Sequence, residues 1–166
     1  MTLRRFLEAE LVRLAGLNQT QPTTVSVQDA SAGVGLELDI LTVETLGCLL
    51  QELRFQCQTT RNTPQDLHLW ANELSQRITY LLESLGALEF DPQAGQALIR
   101  SLRPSSTPQG PNYYEVLLEL KANGTLVLKR YLYDKVNNTR QVSPLCLTKE
   151  VLGRLADDLV DTAPKP

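Results

Sequence analysis

At 166 residues the chain is long enough for one domain with its own core, and it needs neither disulfides nor a metal to close it. Hydrophobic residues make up 42% of it and charged residues 21%, a globular composition and not a disordered one. The net charge of −3, with no Lys/Arg run longer than Arg4-Arg5, lacks the electrostatic footprint of a nucleic-acid binder.

The first element is an amphipathic helix: Leu3, Leu7, Leu11 and Leu14 recur at helical spacing beside Phe6, Thr2 is placed to cap it, and Gly16 to Pro22 ends it. Glu8 and Glu10 interrupt what would be the apolar segment of a signal peptide. No apolar run approaches the ~20 residues of a membrane span, so the expectation is a cytoplasmic chain without membrane contact.

From Thr23 the period becomes two. Val25 and Val27 alternate with Ser26 and Gln28, and Leu36, Leu38 and Ile40 with Glu37 and Asp39, which predicts two half-buried strands. Residues 46–57 fit a helix through Leu46, Leu49, Leu50 and Leu53, and a strand through Leu49, Leu53, Phe55 and Cys57. Gly47 and the β-prone tail Phe55 to Thr60 favour the strand. Thr63, Pro64 and Asp66 then open a helix expected to run to Leu85 before Gly86, with Leu67, Trp70, Leu74, Ile78, Leu81 and Leu85 as its buried stripe.

Two short strands follow, Leu88 to Asp91 and Ala97 to Leu102, and the proline-rich stretch from Arg103 to Pro111 reads as an exposed loop. The next pair of strands turns at Asn123-Gly124. A three-residue loop, Ala122 to Gly124 with Gly124 left-handed, is expected to set Leu120 opposite Leu126, Leu118 opposite Leu128 and Tyr113 opposite Tyr133. That leaves Glu115, Leu117, Glu119, Lys129 and Tyr131 on a wet face. Thr148 caps a last helix that buries Leu152, Leu155 and Leu159.

The fold class expected is α+β: a mostly antiparallel sheet packed against a long central helix, with N- and C-terminal helices, as one domain over residues 1–161 and a frayed tail over 162–166. The order of helix, three strands, helix, strands and helix resembles that of type III secretion chaperones, which are small acidic α+β dimers. The likeness spans most of the chain, and the strand pair between Leu88 and Leu102 departs from it. It implies a protein-binding role and self-association, and with no shared residue motif it assigns no individual residue.

Chemistry-bearing motifs are sparse. His68 is the sole histidine; Cys48, Cys57 and Cys146 have no C-x-x-C spacing; and Gly33-x-Gly35 stands without a third glycine or a following helix. No cofactor, no metal site and no catalytic residue is expected, and the enzyme reading stays open only through carboxylates such as Glu83, Glu89 and Asp91 around one turn. Arginine supplies eleven of the sixteen basic residues, and Arg54, Arg100, Arg103, Arg130 and Arg140 lie on or near predicted strands. Arg130 falls on the core side of its hairpin, which leaves three readings: snorkelling, pairing with a buried acid such as Asp39, or lining a cleft.

The expected function is a non-catalytic protein-binding or adaptor domain with Tyr113, Tyr131 and Tyr133 at its interface, its partner another protein or a second copy of itself. The alternatives are a small anionic-ligand domain using Arg130 and Arg100 between sheet and helices, and a carboxylate acid-base enzyme.

Overall fold

The computed structural model describes residues 2–166. Helix α1 (Leu3–Arg13) is followed by strands β1 (Asn18–Asp29), β2 (Val34–Val43) and β3 (Gly47–Gln58), and then by helix α2 (Pro64–Arg77). Strands β4 (Leu85–Asp91), β5 (Gln96–Ser101), β6 (Ser105–Ser106), β7 (Pro111–Leu120), β8 (Asn123–Asp134), β9 (Thr139–Ser143) and β10 (Leu145–Thr148) lead to helix α3 (Lys149–Thr162). All strand pairings among these residues are antiparallel, in the order β1-β2-β3-β8-β7-β5-β4. The chain is α+β, and residues 47–58 are strand.

Period-two alternation explains how the sheet acquires one dry face. Leu36, Leu38, Ile40, Leu53, Phe55, Val116, Leu118, Leu126, Leu128 and Ile99 point to the same side and are all buried. The three helices lie on that side. α1 packs over β1 and β2, α3 over β3 and β10, and α2 over β4, β5 and β7, with α3 touching both other helices. Their caps are those the sequence calls for: Thr2, Thr63 and Thr148 each accept a backbone N–H from the first turn, and Asp66 returns a bond to the Thr63 N–H to close a capping box.

α2 is shorter than its apolar stripe predicts. Instead of a long helix to Leu85 it stops at Arg77, and Leu85 already pairs with Ser101 in the sheet. Ile78, Thr79 and Tyr80 are poor helix formers, each costing about 0.5 kcal/mol against alanine, and tertiary partners decide the matter. Ile78, Leu81 and Leu85 stay buried, the Tyr80 hydroxyl donates to Asp158 at 2.7 Å, and Glu83 turns inward. The central helix of the sequence reading is therefore fourteen residues long.

The β7-β8 hairpin also turns one residue earlier than expected. Leu118 faces Leu126, Val116 faces Leu128 and Tyr113 faces Tyr131, each partner two residues from its predicted place. An even shift keeps every side chain on its predicted face. Gly124 is not left-handed; it serves by lacking a side chain, since a Cβ there would lie 2.6 Å from Cys57 Sγ and 3.3 Å from the Trp70 ring.

β9 and β10, short strands without a clear apolar alternation of their own, fill a fork in the sheet. β3 and β8 pair from Leu53 to Gln58 and then separate at an extra residue in β3, Gln51, where Asp39 faces Glu52 and Ile40 faces Leu50. Beyond it β9 pairs with β8, β10 pairs with β3, and Pro144 stands at the apex between them.

Candidate functional site

Among the described residues no helix covers the sheet's other face, and its side chains run in rows across seven strands. One row is Ser26, Glu37, Arg54, Val127, Leu117, Leu98 and Glu89; the next is Thr24, Asp39, Glu52, Lys129, Glu115, Arg100 and Gly86. Beside Glu115 the third row places Tyr113 next to Tyr131 and Tyr131 next to Val142.

Two ion-pair groups organise this face. On the β2-β3 side Arg54 binds Glu37 at 3.1 Å, both oxygens of Asp39 at 2.8 and 2.9 Å, and Glu52, which also meets Lys129 at 3.0 Å. Hydrogen bonds from Arg54 hold the Asp39 carboxyl below its usual range. Here three acids surround one arginine.

On the β7-β8 side the ratio reverses. Glu115 Oε2 accepts from Arg100 at 3.0 Å and from Arg140 at 2.9 Å, and is itself largely buried. Arg140 lies 4.0 Å from the centre of the Tyr131 ring and Arg100 5.8 Å from that of Tyr113, with the two rings 5.9 Å apart. Hydrogen bonding to the Tyr113 side chain, opposed by desolvation and reinforced by Glu115, raises the Arg140 pKa above its ordinary value. Two guanidiniums against one carboxylate leave a net positive charge, and the arginine side chains remain 38% and 43% exposed, so part of their ten N–H donors faces solvent.

Tyr113, Tyr131 and Tyr133 thus share one end of the outer face, Tyr133 opposite Arg140 and donating to Asn138 Oδ1 at 3.1 Å. Arg100 joins them, whereas Arg130 does not. The two arginines named as one anion site lie on opposite faces of the sheet, because Arg100 pairs with Glu115 while Arg130 pairs with Tyr114 and Ser143 one position further along β8. Arg130 is buried with its charge paired: its Nη2 donates to both Glu83 oxygens at 3.1 and 2.9 Å, its guanidinium sits 4.7 Å from the Tyr114 ring centre, and its Nε has no hydrogen-bond partner among the described residues. Ser101 and Ser105 donate to the same carboxylate. The acid that pairs with Arg130 is Glu83, and Asp39 pairs with Arg54.

The remaining chemistry-bearing residues are dispersed. Glu83 is drawn into the core, Glu89 is exposed on β4 and Asp91 accepts from the Ala94 N–H in a turn. His68 stacks on Phe90 at 3.6 Å. Cys48 and Cys57 are buried, burial pushing the Cys57 thiol up to about 11, and Cys146 is exposed. Among the described residues no three His, Cys, Asp or Glu side chains converge as metal ligands, and no helix is long and apolar enough to cross a membrane.

Sequence reasoning finds the wet face that carries Glu115, Lys129 and Tyr131 but not the partnership of Glu115 with Arg140. Arg140 enters the group only because β9 pairs with β8, and β9 is too polar to register as a half-buried strand. No protein-family model matches the chain, and no curated protein or solved structure matches it significantly.

Proposed function

We propose that the chain is a protein-binding domain whose outer sheet face, at Tyr113, Tyr131, Tyr133, Arg100 and Arg140, takes an acidic segment of a partner protein. The observation that carries this reading is the two-arginine, one-carboxylate group framed by tyrosines on the central strand pair. Tyrosine and arginine dominate binding hot spots because both offer large contact area, and arginine adds a planar fork for carboxylates. Here Glu115 positions both forks before any partner arrives, which lowers the entropy lost on binding.

Charge along the chain favours the same partner. Residues 100–143 hold seven Lys/Arg and three Asp/Glu, so a chain of net charge −3 concentrates +4 in this stretch and −7 elsewhere. Of these cations Arg130 is buried against Glu83, Lys129 pairs with Glu52 and Lys121 stands at the far hairpin turn, so the attraction for an acidic segment rests on Arg100 and Arg140 outnumbering Glu115 on the outer face.

Fluorescence anisotropy with a labelled glutamate-rich peptide tests the proposal. The chain binds it with an affinity that falls as salt rises, R100A/R140A weakens binding at least tenfold, and R61A, an exposed cation elsewhere, leaves it unchanged. Equal binding by R100A/R140A, or none by the unaltered chain, rejects the reading.

A further inference from the structure

Asp66, Leu69, Trp70 and Glu73 recur at helical spacing and so share one face of α2. That face borders a groove of about 310 Å³, flanked by Arg61 before the helix and by the stretch that follows α3. The stretch is held in place: Ala163 is buried, its N–H donates to the Leu159 carbonyl, and the Lys165 carbonyl accepts from Thr59 Oγ1 at 3.4 Å. Ligand sites in proteins begin at ~300 Å³, so the groove suits a molecule of amino-acid size.

Four of its groups lack a partner. Trp70 is 1% exposed, and its indole N–H has no hydrogen-bond acceptor among the described residues. Its six-membered ring lies against Gly124 of β8, which turns the five-membered ring and its N–H to the side where Trp70 borders the groove. A buried donor left unpaired is costly, and an acceptor brought by a ligand removes that cost. Arg61, Lys165 and Glu73 are exposed and form no ion pair among the described residues. The other acids of the groove are matched, Asp161 by Arg77 at 2.7 Å and Asp66 by the Thr63 hydroxyl at 2.7 Å.

We infer that this groove binds a free apolar α-amino acid. Its carboxylate meets the Trp70 N–H and the cations Arg61 and Lys165, its ammonium meets Glu73, and its side chain lies on Leu69 and Pro164. Two cations and a neutral donor call for a carboxylate. Glu73 discriminates against an anion that brings no positive charge of its own. A glutamate within a peptide offers no ammonium, so this groove and the outer sheet face select different ligands.

Trp70 is the sole tryptophan of the chain, and its fluorescence reports on the groove directly. L-leucine is titrated over about 10 μM to 20 mM, a range that brackets the affinity open to so small a ligand. A saturable change in emission and a rise in thermal midpoint are expected. Leucinamide, without the carboxylate, and isocaproic acid, without the ammonium, bind roughly tenfold more weakly or worse. R61A and E73K alter exposed side chains, so both keep the thermal transition of the ligand-free chain, and each weakens leucine binding by roughly tenfold or more. R100A/R140A binds leucine as the unaltered chain does. Emission and midpoint both unmoved by leucine, equal binding of either analogue, full binding by R61A or E73K, or binding lost in R100A/R140A overturns the inference.

Discussion

Gly124 and the Glu83-Arg130 pair are the positions where a single atom decides the most. Gly124 brings the β8 backbone against Cys57 Sγ and under the Trp70 ring, and a methyl group there has no space. G124A should cost about 1–3 kcal/mol by overpacking, read as a lower urea midpoint with unchanged slope. Glu83 and Arg130 are both buried, and removing one strands the charge of the other. E83A should therefore cost about 3–5 kcal/mol, while E83L/R130M, which removes both charges, recovers most of the loss. If the double variant were as unstable as the single one, the pair would be holding the segment after α2 by geometry and not by matched charge. The sequence placed Arg130 on the core side correctly. It could not supply Glu83 as the partner, because that pairing depends on α2 ending before the carboxylate.

At the scale of elements, what was legible followed from local signals and what was lost depended on remote ones. The caps of α1, α2 and α3 are short motifs, and each formed where Thr2, Thr63 and Thr148 stand. Strand faces follow parity, so they survived even where the β7-β8 register moved by two. The end of α2 and the presence of β9 were not legible, since one is set by Asp158 and Arg130 and the other by a neighbouring strand. The β2-β3 pair offers a test of its own electrostatics. Arg54 lowers the folded-state pKa of Asp39 below the unfolded value of about 3.9, so the stabilisation is full above that pH and lost as pH falls through the folded value. The stability gap between the unaltered chain and R54M should accordingly be constant near pH 7 and narrow below about pH 4. A gap that keeps its size at pH 3 would place the contribution of Arg54 in packing.

The whole molecule is a two-faced sheet in a chain of divided charge. One face is closed by three helices; the other presents an acid-rich group around Arg54 at one side and an arginine-tyrosine group around Glu115 at the other. Composition reported the net charge of −3 and concealed its separation, because +4 over residues 100–143 disappears into the sum. The alternation of Glu115, Leu117, Glu119, Lys129 and Tyr131 did announce a wet face, yet bringing Arg100 and Arg140 to it required the β5-β7 and β8-β9 pairings. The most direct test of the proposed binding face is to map backbone amide chemical shifts while the glutamate-rich peptide is added to the 18.5 kDa chain. Shifts are expected only at Arg100, Tyr113, Glu115, Tyr131, Tyr133, Arg140 and their strand neighbours. Shifts gathered on the helices or along β1, with the Glu115 group silent, would contradict it.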